Sequence, residues 1–289
     1  MSVIVFAPAK INLTLEVGAP RADGLHPLQS IVMFADVGDV LHAEAADALT
    51  LTIGGEFAAD LAVDESNLVL RAARALATEA GLAAPGAALT LEKNVPVASG
   101  IGGGSADAAA ALRALNELWA LTLPAERLQQ IARTLGADVP VCLASTPAYM
   151  TGAGESWTPL NAPALSAVLV NPLKALATPS VYRRFDDMKL GGAFVVRPAP
   201  RLTDTAALAA LIEDIGNDLE APAQALMPEL GELSERLRHE PRALAAGLSG
   251  SGATMFAITR SLDDAAALAE DIQRERPDWW VAEATLAGA

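Results

Sequence analysis

Ile11, Leu13, Leu15 and Val17 alternate with polar neighbours, the period-two pattern of a half-buried strand, and residues 2–6 ahead of them read as another. Arg21-Ala22-Asp23-Gly24 is a turn. Gln29–Val37, Val40–Ala45 and Leu49–Ile53 follow as predicted strands, punctuated by Gly38-Asp39 and Asp47. Asn67–Ala80 is a predicted helix closed by Gly81, and Ala88–Glu92 a strand. A glycine cluster then opens an alanine-rich helix over about 104–119. Pro124–Leu135 is a further helix, with proline in its first turn and Gly136 beyond its end, and the apolar run Val139–Leu143 reads as a strand. A second half begins near Pro159–Pro163. It holds strands at Ser166–Val170, Leu244–Leu248, Ala253–Thr259 and Trp280–Ala284, and helices at Pro179–Phe185, Thr205–Ile212, Leu226–Arg238 and Leu262–Arg276. Residues 186–203, with Pro198 and Pro200, read as an irregular exposed connection. Strands interleaved with helices predict an α+β fold, and 289 residues suit two domains, expected at 1–157 and 158–289.

Charge narrows the function. The chain carries 35 acidic and 20 basic side chains, a formal net charge of −15. Such a surface repels nucleic acid, and no basic patch with interleaved aromatics is present. An anionic substrate therefore needs a locally positive site, which helix N-termini can supply. Cys142 is the single cysteine, so an internal disulfide and a cysteine-based zinc site are both excluded; in its apolar run it reads as a small buried hydrophobe. Met1–Phe6 meets Pro8 and Lys10 at once, which is neither a signal peptide nor a membrane span, and a cytoplasmic location without a membrane partner is expected. His42 and His239 read as surface residues, and the four tryptophans as core or interface.

Four segments carry candidate chemistry. In Pro96-Val97-Ala98-Ser99-Gly100-Ile101-Gly102-Gly103-Gly104-Ser105-Ala106, four glycines fall within five positions after a strand and before a helix. Glycine lets the backbone approach an anion closely, and the helix that follows directs unpaired N–H groups at the same space, so the segment suits a polyphosphate. The competing reading is a flexible turn capped by Ser105. No Gly-Lys-Ser/Thr ends the segment, so it is not a Walker A loop. In the second segment, Ala7–Leu13, Lys10 lies among apolar residues, one of only four lysines against 16 arginines. Its ammonium could steady a hydroxyl or a transferring phosphoryl group, or simply snorkel from an edge strand. In the third, Asp138 stands between a helix end and an apolar run, where a carboxylate is costly without a partner; a helix-end aspartate is the bland alternative. The fourth, Leu248-Ser249-Gly250-Ser251-Gly252-Ala253, is a small-residue loop that could pack against the first glycine loop and close a nucleotide site.

The order and spacing of Pro8–Leu13, Pro96–Ala106 and Leu248–Ala253 resemble the GHMP kinase superfamily. Arg21–His26, Leu135–Pro140, Gly152-Ala153-Gly154-Glu155 and Asn217-Asp218-Leu219-Glu220 draw the resemblance toward its members that phosphorylate a methylerythritol carried on a cytidine diphosphate, in the non-mevalonate isoprenoid pathway. The resemblance implies an N-terminal domain like ribosomal protein S5 domain 2, a ferredoxin-like C-terminal domain, and an active site between them. It implies ATP and Mg²⁺ as cofactors. Asp138 would be the general base and Lys10 would hold it ionised. Pro96–Ala106 would wrap the ATP phosphates, with Asn67 and Leu68 near the adenine. Asn12, Leu25, His26, Thr178, Tyr182, Gly250 and Ser251 would line the substrate site.

One departure stands out. The family usually carries an aromatic residue, most often tyrosine, where this chain has Leu25. An aliphatic face there predicts weaker cytidine binding, not a different substrate. Within the superfamily, homoserine, mevalonate or a sugar is the alternative acceptor. A phosphate-nest binding protein without catalysis is the alternative of another class, and RNA binding through an S5-like domain conflicts with the acidic surface.

Overall fold

The computed structural model describes residues 2–288. Strand β1 (Ser2–Asn12) runs unbroken through Pro8. Among the described residues the strand that pairs with β1 is β3 (Leu28–Glu44), and on an edge that no second strand pairs a proline's missing N–H costs no ladder bond. The predicted strand 11–17 is split. Ile11 and Asn12 finish β1, and Glu16–Val17 form a short β2. Between them Thr14 Oγ1 accepts the Ile31 N–H at 3.0 Å, so a side chain takes the place of a ladder carbonyl. β3 is one strand of 17 residues, not two. Gly38 does not turn the chain: a Cβ there would lie 2.2 Å from the Ala7 carbonyl oxygen, so glycine serves close strand approach.

After β4 (Leu49–Gly54), α1 (Leu68–Glu79) is capped by the Asn67 side chain, which accepts from Val69 N, and carries the chain to β5 (Ala87–Glu92). The helices α2 (Gly103–Leu118) and α3 (Ala125–Leu135) fall where the pattern places them. The run after Asp138 is a helix, α4 (Val139–Ala144), not a strand. A short apolar run does not distinguish the two, and Pro140 in the first turn suits a helix start. A hairpin of β6 (Ala148–Thr151) and β7 (Ser156–Pro159) encloses the Gly152–Glu155 segment, and β8 (Leu165–Asn171) follows. Next come α5 (Thr178–Asp187) and α6 (Thr205–Ile215), joined by an irregular stretch as expected. The predicted helix Leu226–Arg238 is two: α7 (Glu220–Leu226) and α8 (Glu229–Arg238). Pro228 disfavours helical backbone at Met227, which sits at φ −138°, ψ 85°. β9 (Ala243–Leu248), β10 (Met255–Thr259), α9 (Leu262–Glu275) and β11 (Trp280–Ala287) complete the chain.

Contacts group these elements into two compact units. One comprises residues 1–9, 38–97 and 102–145; the other comprises 10–37, 98–101 and 146–289. The expected boundary near 157 divides the chain by order, whereas each of these units is discontinuous. In the first unit, β4 pairs parallel with β5, and β5 pairs antiparallel with the end of β3, Val40 opposite Glu92. A parallel pair needs a crossover, and α1 provides it. α2 packs against α1, α3 and α4, and its stretch Ala106–Leu112 is buried throughout, which is why alanine dominates it.

In the second unit the antiparallel order is β11–β8–β10–β9. With one crossover after β8 and α9 between β10 and β11, this is the split βαβ arrangement of a ferredoxin-like domain. Its core holds Val168, Val170, Phe185, Leu219, Leu230, Leu233, Met255, Leu268 and Ile272.

Candidate active site

The glycine loop is shaped by what holds its carbonyls. Ser99 O accepts from Thr254 N at 3.0 Å, Gly100 O from Ser249 Oγ at 3.0 Å, and Ile101 O from Lys10 N at 2.8 Å. Three consecutive carbonyls are thus bound within the second unit. Ala98, Gly100 and Gly102 all have positive φ, and alternation of this kind is the backbone pattern that can gather successive N–H groups toward an anion. A Cβ on Gly100 would stand 2.4 Å from Ser249 O, and one on Gly250 would stand 2.8 Å from Gly100 O. The loop 248–253 therefore packs on the first glycine loop, as its composition suggests. Asn217 ties that second loop in place, donating to Leu248 O at 2.7 Å and Gly250 O at 2.8 Å.

Lys10 is buried, 3% exposed, and its ammonium donates to Asn12 Oδ1 at 2.7 Å. Asn12 is oriented in turn by Ser30 Oγ and by Ser249 Oγ, which accepts from its backbone N–H. The Lys10 cation is thus held by a hydrogen-bonded chain and does not snorkel. His26 Nδ1 lies 2.8 Å from Gly18 O, and its Nε2 lies 3.5 Å from Asp186. The ring sits 5.0 Å from that of Tyr182 and meets Phe185 edge-on. Thr178 and Ser251 share a 2.8 Å hydroxyl contact. The second unit therefore brings together Lys10 with Asn12, His26 with Tyr182, and Thr178 with Ser251. Leu25 is 52% exposed on a turn set by Asp23, whose carboxylate accepts from Leu25 N. The Leu25 N–H and the Arg21 side chain hold the Asp23 carboxyl below its usual range.

In the first unit, Gly102 is left-handed at φ 65°, ψ 19°, and begins α2; Val97, Gly103 and Ser105 are half-buried, Pro96 and Ala106 buried, and Gly104 exposed. Asn67, Leu68, Val69, Leu91, Gly104 and Asp107 line a cavity of about 200 Å³. The expected adenine residues and the loop's helix thus share one cavity. Asp138 is half-buried at the N-cap of α4. The other end of α4 is held by Arg113, which donates to Cys142 O, Leu143 O and Ser145 Oγ. Cys142 is buried, as expected, though the fold brings it an arginine that its flanking residues do not offer. His239 is exposed and His42 half-buried against Glu92. Among the described residues, no three His, Cys, Asp or Glu side chains converge on a metal position, and no helix is long and apolar enough to cross a membrane.

Sequence reasoning missed one cluster in the first unit. Lys93, 2% exposed, pairs with Asp39 and, at 3.0 Å, with Asp107. Burial lowers the affinity of the Lys93 amine for its proton, but the two carboxylates outweigh it and raise it above the usual lysine range. Burial, opposed by Lys93 and assisted by Asp39, pushes the Asp107 carboxyl up to about 7. Two signals were available: the scarcity of lysine applies to Lys93 as to Lys10, and Asp107 is a lone charge in an alanine run.

An α+β first unit and a ferredoxin-like second unit define a class. Residues 67–146 match the GHMP kinases N terminal domain and residues 198–278 the GHMP kinases C terminal domain, and the chain belongs to this family. Its relatives point to one branch. It is 48% identical to a 4-diphosphocytidyl-2-C-methyl-D-erythritol kinase of Cereibacter sphaeroides (strain KD131 / KCTC 12085), over 98% of this chain and 99% of that one. It is 50% identical to the kinase of the same name from Parvibaculum lavamentivorans, over 98% and 97%. A crystal structure of 4-(cytidine 5'-diphospho)-2C-methyl-D-erythritol kinase superposes with a TM-score of 0.77 at 34% identity, covering 99% of this chain and 100% of that one.

Proposed function

We propose that this protein transfers the terminal phosphoryl group of ATP to the 2-hydroxyl of 4-diphosphocytidyl-2-C-methyl-D-erythritol, giving the 2-phosphate and ADP, as a cytoplasmic enzyme of the non-mevalonate isoprenoid pathway without nucleic-acid or membrane partners. The observation that carries this reading is end-to-end similarity to kinases of that name. Pro96–Ala106 binds the phosphates through backbone N–H groups, and Asn67 and Leu68 border the adenine. Asp138 accepts the proton of the attacking hydroxyl as it adds to the γ-phosphorus and the bond to ADP breaks. Lys10, fixed by Asn12, supplies positive charge to the reacting oxygens. Asn12, Leu25, His26, Thr178, Tyr182, Gly250 and Ser251 position the cytidine-linked acceptor.

Mg²⁺ commonly keeps several waters and leans on substrate phosphates. The donors present fit an ion of that kind: Ser105 offers a hydroxyl in the first turn of α2, and no carboxylate cage converges among the described residues. Such an ion would neutralise phosphate charge.

The test is ADP formation by the purified protein with the cytidine diphosphate acceptor, homoserine and mevalonate in parallel. Only the first should support turnover. Preference for another acceptor would overturn the substrate assignment, and nucleotide binding without ADP release from any acceptor would favour the binding-protein reading.

Leu25 and Tyr182 make a second measurable case. Base–aromatic stacking contributes about 1–3 kcal/mol. If cytosine lies between these side chains, Leu25→Tyr should tighten the acceptor by roughly 1 kcal/mol, or about fivefold. Tyr182→Ala should weaken it, and neither variant should change ATP affinity. Calorimetric titration that finds Tyr182→Ala equal to wild type for the acceptor would remove the sandwich.

A further inference from the structure

The first unit contains a charged cluster whose ion pairs have no part in the proposed chemistry, although one member, Asp107, borders the cavity beside Asn67 and Leu68. Asp39 lies on β3, Lys93 directly follows β5, and Asp107 lies in the second turn of α2; all three are 3% exposed or less. Asp39 does two things at once. Its Oδ1 accepts from Asn94 N at 2.7 Å and Val95 N at 3.1 Å, fixing the backbone just before Pro96, while its Oδ2 binds Lys93 Nζ. The same ammonium donates to Asp107 Oδ2 at 3.0 Å, gripping the helix into which the glycine loop runs. It also lies directly beneath the loop's exit: a Cβ on Gly103 would stand 3.0 Å from Lys93 Nζ.

Three desolvated charges are a poor way to gain packing, since apolar groups of equal volume fill such a space at less cost. What a buried ion triad supplies is fixed geometry, and a phosphate site needs just that, because helix N–H groups act only when aimed at the anion. The approach to the loop at Asn94-Val95 and its exit at Gly103–Asp107 are referred to one cation. We infer that Lys93 is a positioning residue for nucleotide binding, setting the direction of the first turn of α2 through Asp39 and Asp107 without touching ATP itself. This rests on the glycine loop being the phosphate site.

The test uses ATP titration without acceptor, together with the KM for ATP and for the acceptor. Lys93→Met keeps volume and removes the charge, but leaves two buried carboxylates facing each other, so it lowers stability as well. Lys93→Met/Asp39→Asn relieves that repulsion without restoring the tether, keeps an acceptor for Asn94 N and Val95 N, and leaves Asp107, which borders the cavity beside Asn67, in place. The double variant should regain a near wild-type unfolding temperature, yet bind ATP at least tenfold more weakly, with the acceptor KM unchanged. If ATP affinity returns together with stability, or if neither variant alters it, Lys93 is structural only and the inference fails. Because acceptor is omitted from the titration, an error in the acceptor assignment leaves this result readable: a wild type that binds ATP but phosphorylates nothing would sink the kinase reading alone.

Discussion

Asp138→Asn is expected to reduce turnover by about 10²–10⁴, the scale of general acid–base catalysis, while ATP affinity stays near wild type. The amide is close in size to the carboxylate but cannot accept a proton. Asp138 makes no side-chain cap to α4, so the substitution removes no N-cap bond from that helix. Arg113 and Pro140 act on α4 at other points, which should keep the helix in place. Steady-state kinetics beside calorimetric ATP titration would check this. Near-normal turnover in a purified, folded variant would remove Asp138 from the role of base.

Gly100→Ala should weaken ATP binding at least tenfold and lower the unfolding temperature. Two effects combine. Gly100 has φ +79°, where a side chain costs about 1–2 kcal/mol. Its added methyl would also come within 2.4 Å of Ser249 O and 2.7 Å of Gly252 O, both backbone atoms that cannot rotate away. Relief requires the loops to separate, which breaks the bond from Ser249 Oγ to Gly100 O and releases the segment proposed to bind the phosphates. Circular dichroism should remain native-like. Unchanged ATP titration would show that the glycine loop does not bind the nucleotide.

These two substitutions test residues that the sequence itself singles out, because local chemistry marks them. A cluster of glycines between a strand and an alanine-rich helix has few other uses, and the two small-residue loops do pack together. Lys10 drew attention by its apolar neighbours, and the fold buries it against Asn12. The Lys93–Asp39–Asp107 cluster is hidden in the sequence for the opposite reason. Glu92-Lys93-Asn94 looks like a solvated strand end, and Gly38-Asp39 looks like a turn. Their burial depends on partners 14 and 54 positions from Lys93 in sequence.

Elements followed the same division. Helices α1, α2 and α3 were legible within a residue or two, because caps, glycine stops and helical periodicity are local. So were β4, β5 and β8, whose apolar runs are bounded by turn residues. Among the readings that failed, three show a long-range contact, an ambiguous apolar run and a single backbone restriction deciding against the pattern. β3 continues through Gly38-Asp39 because β1 passes close beside the glycine and Lys93 receives the aspartate. Val139–Ala144 is helical although its apolar run suits a strand equally well. Met227-Pro228 splits a helix whose apolar periodicity runs on across the break.

By itself, then, the sequence determined the α+β class, the acidic surface, the glycine loop and the candidate charges at Lys10 and Asp138, since each is written in neighbouring residues. Only the tertiary structure decided which atoms hold the loop. The carbonyls of Ser99, Gly100 and Ile101 are bound by Thr254, Ser249 and Lys10, and Asp107 by Lys93. Hydrogen bonds and buried ion pairs act over about 3 Å whatever the distance along the chain, so their partners become visible only once the strands that carry them are paired.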